Sequence, residues 1–285
     1  MSGRSLVWLG HQPATIINWS EYKRYVSNKY GPQYASMQYN YARKYIELLT
    51  NPSKIETLST SLKANVLKAL VCLSKYLGIY LDFKDKLKQH GIKWSTTNSF
   101  DSFLRIFNNN HSDLLPWLKE ASNILKNNES LYLRFMLLSG IRKSEGVQAL
   151  NKIIKLHKQN ILNEYYNDDL SVLEHFRYKQ FLRHSKNVYI TIIPKSFIME
   201  IANNEPVSYV ALHKRLRKRG IRTRIKELRQ YYGSFMVRHE LIREEVDLLQ
   251  GRVPKSIFVR HYLTIGFKEL RDRTLKAISL LEQSL

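Results

Sequence analysis

Several cations and one tyrosine in the C-terminal half of this 285-residue chain have the types and the order needed for chemistry on a phosphodiester. They are Arg142, Lys186, Lys226, Arg229, Arg252 and Tyr262. Displacement at phosphorus places negative charge on the non-bridging oxygens, and guanidinium groups stabilise that charge through paired hydrogen bonds. We therefore predict that Arg142, Arg229 and Arg252 bind a reacting phosphate and that no metal is needed.

A proton donor and a nucleophile would complete such a site. The leaving alkoxide needs a proton, which a lysine can supply as general acid, and we predict Lys186 for this role with Lys179 as its rival. Surrounding cations favour the phenolate form of a tyrosine, whose reference pKa is about 10, and so make it a better nucleophile. Tyr262 is the predicted nucleophile, since Tyr231 and Tyr232 lie within a helical pattern and fit a core better.

The elements that must position these residues begin with two helices, predicted over 114–126 and 131–138, the second capped by Ser130. The helical pattern then breaks, and a further helix is predicted to begin at Ser144. Arg142 would lie in a tight corner between two helices, where its guanidinium can be held rigidly.

A β-hairpin is predicted over 176–194. All residues from 188 to 193 are β-branched or aromatic, and a proline follows them. The turn of this hairpin would include residues 183–187 and would therefore carry Lys186.

Helices return in the remainder of this half and are predicted over 207–219, 225–239 and 244–250. Lys226 and Arg229 are three residues apart and share one edge of the second of these helices. Gly251 follows the third and would place Arg252 in a loop.

The N-terminal part of the chain has a different organisation. Amphipathic helical patterns run over 20–49 and 58–88, and a polar stretch around 106–114 is typical of a linker. We predict two domains, 1–108 and 109–285, with a tail helix within 264–285. The predicted fold class is mainly α with a small antiparallel β-sheet.

The net charge of +22 is extreme for a chain with 44% hydrophobic residues, which is enough for packed cores. Such a field favours a polyanionic partner, most often nucleic acid. We predict phosphate-binding cations in both halves of the chain, namely Lys23, Arg24, Lys29, Arg43, Lys44, Lys214, Arg215, Arg217, Lys218, Arg219, Arg222 and Arg224.

Cys72 is the only cysteine, which excludes a disulfide framework and a thiolate metal cluster. The start of the chain shows no secretory signal, and no apolar run is long enough for a membrane span. We expect a protein of the reducing cytoplasm that has no contact with a membrane and needs no cofactor.

Four segments of the C-terminal half resemble the ordered motifs of the tyrosine recombinase (phage integrase) family. The first arginine box, the β-hairpin lysine segment, the second box and the final turn with its tyrosine are similar to Ser139–Glu145, Ser185–Pro194, Lys226–Arg229 and Leu248–Arg252 with Tyr262. The resemblance covers about 130–285 with motifs, and 20–105 only in general character as a helical DNA-clamping domain.

The chain departs from the common family pattern at two positions. Most members have histidine where this chain has Lys226, and histidine or tryptophan near the position of Arg252. This variant is similar to the integrases of archaeal spindle-shaped viruses and related archaeal plasmids. It leaves open which group assists proton transfer, because lysine and arginine are poor bases at neutral pH.

The resemblance implies a site-specific recombinase that cuts one strand at a time through a 3′-phosphotyrosyl bond to Tyr262. Double-stranded attachment sites and a homo-tetramer on paired DNA would be its partners, and the tail helix would dock on its own domain or on a neighbouring subunit. Cleavage in cis or in trans stays open.

Three other functions stay open at this point. One is a DNA-binding relative that has lost turnover, and another is a strand nicking-closing enzyme of the type IB topoisomerase kind. The third is a metal-dependent nuclease that would use Asp168, Asp169 and Glu174, although adjacent acids in a polar stretch fit a loop more simply.

Overall fold

The computed structural model describes residues 4–9, 12–93, 100, 103–104, 113–182, 187–253 and 264–285, with side chains from residue 17 onward. The chain divides into two compact units, Met1–Asn108 and Asn109–Leu285. The structure is mainly helical with a small antiparallel sheet, which confirms the predicted class. The clamp arrangement of two domains stays a prediction.

The first unit opens with an antiparallel hairpin of β1 (Arg4–Leu9) and β2 (Gln12–Asn18), which the sequence interpretation missed. In the described part of this unit the hairpin is followed by helices α1 (Trp19–Lys29), α2 (Pro32–Lys44), α3 (Thr60–Tyr76) and α4 (Tyr80–Gln89). Each predicted helical stretch is therefore two helices. The first is broken at Gly31-Pro32, and the second at Gly78, whose φ of 74° ends a helix at low cost.

The core of the first unit is formed by the apolar faces of these helices. Its fully buried side chains include Tyr22, Val26, Leu70, Leu73 and Phe83. Asn18 caps α1, because its side-chain oxygen accepts the backbone N–H groups of Ser20 and Glu21, both at 3.2 Å.

The second unit contains eight helices in its described part. They are α5 (Leu114–Ile124), α6 (Asn127–Ser139), α7 (Lys143–Lys158), α8 (Lys195–Ala202), α9 (Tyr209–Lys218), α10 (Ile225–Arg238), α11 (Arg243–Leu249) and α12 (Phe267–Gln283). None of the helices in the described ranges is both long and apolar enough to cross a membrane.

Helix α6 is the centre of this unit and is buried on nearly every side. It begins one turn earlier than predicted. The cap is Lys126, whose backbone N–H donates to Glu129 Oε2 at 3.1 Å, and Ser130 lies inside the helix. Helices α5, α7, α10 and α12 pack against α6, so a displacement of α6 would reach all of them.

The three-stranded sheet has the order β3 (Tyr166–Asn167), β4 (Val172–Glu174) and β5 (Ile190–Ile192), with antiparallel neighbours. The predicted hairpin over 176–194 is therefore wrong in its first arm. Strand β5 pairs with β4, and 175–181 forms two 3₁₀ turns, His175–Arg177 and Lys179–Phe181.

The segment from 175 to 189 still doubles back on itself. Phe176 N donates to Tyr189 O at 3.0 Å, and Val188 N donates to Phe181 O at 3.2 Å. Phe181 and Val188 are fully buried, so the described residues on each side of 183–186 are held in the core.

Candidate active site

The predicted helix corner is present between α6 and α7. Gly140 ends α6 with a φ of 59°, and a Cβ at this position would overlap the ring of buried Tyr232 on α10. Glycine is required here for both its backbone conformation and its size. The corner therefore brings the Gly140 carbonyl and Arg142 close to α10.

Arg142 is fixed by two segments of the chain. Its Nη1 donates to Glu145 Oε1 at 2.9 Å and to the Asn187 carbonyl at 3.2 Å, and its backbone N–H donates to Glu145 Oε2 at 3.1 Å. The Glu145 side chain is 0% exposed. A buried carboxylate paired in this way holds the guanidinium in one orientation.

Arg229 joins the corner to the turn after α11. Its Nη1 donates to the Gly140 carbonyl at 2.7 Å, and its Nη2 donates to the Gln250 carbonyl at 2.8 Å. Gln250 Nε2 donates back to the Arg229 carbonyl at 3.0 Å. Burial, and then the nearby charges of Arg142 and Arg252, lower the pKa of Arg229 to about 10, so the side chain remains a cation at neutral pH.

The turn that carries Arg252 packs directly on the residue after Lys186. Gly251 has a φ of 70°, and a Cβ there would overlap the Asn187 carbonyl oxygen and lie 2.9 Å from Val188 Cα. The backbone N–H of Arg252 donates to the Asp247 carbonyl at 2.7 Å, and its Nη1 pairs with Asp247 Oδ1 at 3.0 Å. Unlike Arg142 and Arg229, Arg252 has an exposed side chain.

Two clefts lie along α10, and Lys226 and Arg229 line both. The first, named here the corner cleft, has a volume of about 400 Å³ and also contains Arg142 and Lys143. The second, the turn cleft, has a volume of about 660 Å³ and also contains Asp247 and Arg252. The four described cations of the predicted site thus surround one edge of a single helix.

A sequence profile of the archaeal phage integrase family matches residues 110–269, which is more than half of the chain. The chain belongs to the archaeal phage integrase family. It is therefore an integrase, an enzyme of DNA recombination with DNA as its partner. Comparison with curated proteins gives no match. The matched span includes the corner, α10, the Gly251 turn and Tyr262.

Two predicted catalytic residues of the integrase, Lys186 and Tyr262, lie outside the described residues. Asn187, which follows Lys186 in the chain, contacts both Arg142 and Gly251. Lys179, the rival general acid, is exposed in a 3₁₀ turn and lines neither cleft. Tyr232 is buried, as predicted for a core residue and not for a nucleophile. Burial raises the pKa of its hydroxyl.

The predicted DNA-binding cations of the integrase fall into two groups. Ten are exposed, namely Lys23, Arg24, Lys29, Arg43, Lys44, Lys214, Arg217, Lys218, Arg219 and Arg222. Two instead pair with acids. Arg215 Nε donates to Glu129 at 2.8 Å, and Arg224 bridges Asp113 and Glu227 at 2.8 and 2.6 Å. Arg215 and Arg224 therefore hold elements together, which sequence spacing alone did not indicate.

Two of the three acids of the metal-nuclease alternative form ion pairs with basic side chains. Asp168 pairs with Lys195, and Glu174 pairs with Arg177. Within the described ranges, no group of three or more histidine, cysteine or acidic side chains could hold a metal ion.

Sequence reasoning missed the backbone acceptors that fix the arginines. These are the carbonyls of Gly140, Asn187 and Gln250. Every residue carries a carbonyl, so no residue type marks them, and only the neighbouring glycines at positive φ gave an indirect signal.

Proposed function

We propose that this integrase is a tyrosine recombinase that uses Tyr262 as its nucleophile. The Tyr262 hydroxyl attacks a phosphodiester, forms a 3′-phosphotyrosyl bond and releases a 5′-hydroxyl. A 5′-hydroxyl from a partner strand then attacks the same phosphorus and reseals the DNA. The covalent link retains the bond energy, so the proposed reaction uses neither ATP nor a metal.

This proposal rests on the contacts that join the four motif segments to one another. Arg229 on α10 binds the corner carbonyl of Gly140 and the turn carbonyl of Gln250, while Arg142 binds the carbonyl of Asn187. These segments are far apart in the sequence, yet Arg229 and Arg142 tie them together. A shared phosphate site gives a reason for such an arrangement.

The fixed arginines suit a transition state better than a ground state. A guanidinium carries five N–H donors, so the bonds to backbone carbonyls occupy only part of its capacity. Donors that are already oriented need little reorganisation when charge develops on the phosphate oxygens. We assign Arg142 and Arg229 to these oxygens, with Arg252 and Lys226 as further cations at the two clefts.

The remaining assignments concern the assembly. We propose that the exposed cations of both units contact the backbone of double-stranded attachment sites and that four copies act on paired sites. The tail helix α12 packs on its own unit, where Leu270, Ala277 and Leu281 are buried. The integrase would act in the cytoplasm of an archaeal host on the DNA of a virus or plasmid.

A nicked suicide duplex tests the catalytic proposal. Cleavage next to the nick releases a short strand, so the covalent intermediate cannot reseal and accumulates. In EDTA we expect a protein–DNA adduct that resists denaturation, with none from Tyr262→Phe. The adduct is measured by denaturing electrophoresis, and Tyr231→Phe is the matched control, because that tyrosine packs beside the core.

Two results would contradict the proposal. A wild-type protein that binds DNA but forms no adduct would indicate a relative without turnover. Strict dependence of cleavage on magnesium would favour the metal-nuclease alternative.

A further inference from the structure

The joint between α10 and α11, residues 239–242, has an unusual backbone. Its Glu240 has a φ of 71°, a left-handed conformation that glycine usually supplies at the end of a helix. The hydrogen bonds of a helix end surround it, because His239 N and Leu241 N both donate to the Met236 carbonyl, at 3.0 and 3.2 Å. A glutamate is unfavourable in this conformation, so other contacts must hold the joint in place.

Helix α12 supplies those contacts. Arg273 Nη1 donates to the Glu240 carbonyl at 2.7 Å, and Lys276 Nζ lies 3.6 Å from Glu240 Oε1. Arg273 also pairs with Glu245 on α11, through Nη1 to Oε2 at 3.0 Å and through Nη2 to Oε1. The Glu245 side chain is 3% exposed, and its Oε2 accepts the backbone N–H of Ile242 at 3.0 Å. Arg273 therefore bridges the joint and the first turn of α11.

The opposite end of α11 belongs to the candidate active site. Gln250 follows this helix, and its carbonyl accepts Arg229 Nη2 at 2.8 Å while its Nε2 donates to the Arg229 carbonyl at 3.0 Å. Between the two ends, Gly233 lets the helices approach closely, since a Cβ there would lie 3.1 Å from Gln250 Nε2. Helices α10 and α11 are thus held together at both ends, by Arg273 at the joint and by Arg229 with Gln250 at the site.

A small rotation at the joint has a large effect at the far end of α11. This helix has seven residues and is therefore about 10 Å long. A rotation of about 5° at the joint would displace its far end by about 1 Å, given this length. A displacement of that size can break the bonds between Gln250 and Arg229, and misplacement by about 1 Å can lower a rate about 10²-fold.

We propose that Arg273 is a positioning residue of the integrase, which fixes the joint of α10 and α11 from α12 and thereby holds the Gly251 turn against Arg229. This inference rests on the proposed function. Arg273 acts through Glu240 and Glu245, and its role requires no contact with DNA. Helix α12 is then part of the scaffold of the active site within its own chain.

The direct test measures the rate of adduct formation on the suicide duplex at saturating DNA. For Arg273→Gln we expect this rate to fall by about 10–10²-fold, with DNA affinity close to that of the wild type. Arg271→Gln is the matched control, because it removes the same charge from the same helix but contacts Asp272 and the Asp169 carbonyl instead of the joint. It should keep the wild-type rate. A wild-type rate in Arg273→Gln would overturn the inference.

Two substitutions of Glu240 separate positioning from stability. Glycine adopts a φ of 71° without strain, so Glu240→Gly should keep the wild-type rate and should restore most of the rate to Arg273→Gln. It cannot replace the ion pair of Glu245, so the stability that this pair contributes stays lost. Valine is strained at such a φ, so Glu240→Val should slow adduct formation although Arg273 is present. Failure of Glu240→Gly to restore the rate, or equal rates for the two Glu240 variants, would overturn the inference.

The outcomes for Arg273 and for the proposed function are distinct. If Arg273→Gln does not fold, the two Glu240 variants decide the inference, because both keep the ion pair between Arg273 and Glu245. A wild-type adduct together with wild-type rates in all of these variants would overturn the role of Arg273 alone. Absence of any adduct from the wild type would overturn both proposals.

Discussion

Two groups of cations in the second unit have the same chemistry but opposite environments. Arg142 and Arg229 are partly buried, and backbone carbonyls and one buried carboxylate hold them at the helix corner. Most basic residues of α9 and the loop after it, Arg215 and Arg224 excepted, stand in solvent, and they include Lys214, Arg217, Lys218 and Arg219. Cations of the first group are placed to act in a reaction, and we expect those of the second group to contribute to DNA affinity.

The physical reason is preorganisation. A fixed guanidinium has already lost its side-chain freedom and part of its hydration on folding, so it acts on a phosphate at little further cost. An exposed cation is screened by salt and contributes to binding mainly by releasing counterions from DNA. We therefore expect the fixed cations of the second unit to determine the reaction rate and the exposed cations to determine DNA affinity.

The largest expected effect comes from breaking the fixed group. Arg229→Ala removes the donors to Gly140 and Gln250, and we expect adduct formation to fall by about 10²–10³-fold. Arg229→Lys keeps the charge but cannot bridge the two carbonyls, so its rate should stay close to that of the alanine variant. Single-turnover rates on the suicide duplex measure both. A lysine variant near the wild-type rate would show that charge alone is sufficient.

The Gly251 turn supports Arg142 and Arg229, and we expect a substitution there to lower the free energy of unfolding. Gly251→Ala introduces left-handed strain of about 1–2 kcal/mol together with an overlap with the Asn187 carbonyl that costs about 1–3 kcal/mol more. Gly220→Ala is the matched control, because its φ is 72° and nothing lies within 4 Å of the new Cβ. Denaturant unfolding should show a larger loss for Gly251→Ala, and equal losses would contradict the proposed close contact.

Helix α9 contains one arginine of each kind, Arg215 and Arg217. Arg215→Gln removes the ion pair of the buried Glu129 carboxylate and leaves it the backbone N–H of Lys126, so we expect the free energy of unfolding to fall by about 1–3 kcal/mol. Arg217→Gln should change stability by less than about 0.5 kcal/mol. It should instead reduce the slope of log affinity against log salt by about 0.9, if its one phosphate contact is lost.

These two effects need separate measurements. Chemical denaturation gives the stability of each variant, and DNA titrations at several salt concentrations give the slope. If Arg215→Gln lowered the salt slope and left stability unchanged, the division into fixed and exposed cations would be wrong for this helix.

The buried, uncharged His175 should have a smaller effect on the free energy of unfolding, and this effect depends on pH. His175 is fully buried between Tyr165 Oη at 2.7 Å and Thr191 Oγ1 at 2.8 Å, and burial lowers its pKa to about 3. In the unfolded chain an ordinary histidine has a pKa near 6.5, so below that pH only the unfolded state takes up the proton. The free energy of unfolding should fall by about 1.4 kcal/mol per pH unit from this group between about pH 6 and 4.

The check is a comparison of stability against pH for the wild type and His175→Gln. The variant should be less stable at pH 7, where the buried hydrogen bonds are lost, and should show a shallower decline in acid. Parallel curves would indicate that His175 is not a buried neutral imidazole.

The sequence predicted most helices because their apolar residues recur at spacings of three and four. It failed where short elements depend on distant partners. Strand β5 pairs with β4, which precedes it by a long connection, and the residues expected to form the first hairpin arm form 3₁₀ turns. The hairpin of β1 and β2 was missed because that stretch was considered only as a secretory signal.

The sequence allowed prediction of those site residues whose side chains have a distinctive chemistry. Arg142 and Arg229 stand where the motifs indicated, whereas their carbonyl acceptors have no signature in the sequence. Arg215 and Arg224 were predicted as DNA-binding residues because a basic run does not reveal which members have acidic partners.

The identity of the covalently modified residue tests the central proposal most directly. The suicide-duplex adduct can be digested with nuclease and trypsin, and the peptides can be sequenced by mass spectrometry. Trypsin yields the peptide 261–268, in which Tyr262 is the single tyrosine, while Tyr231 and Tyr232 fall in another peptide. We predict a nucleotide remnant on Tyr262 in a reaction that contains EDTA. A remnant on any other residue would contradict the proposed mechanism.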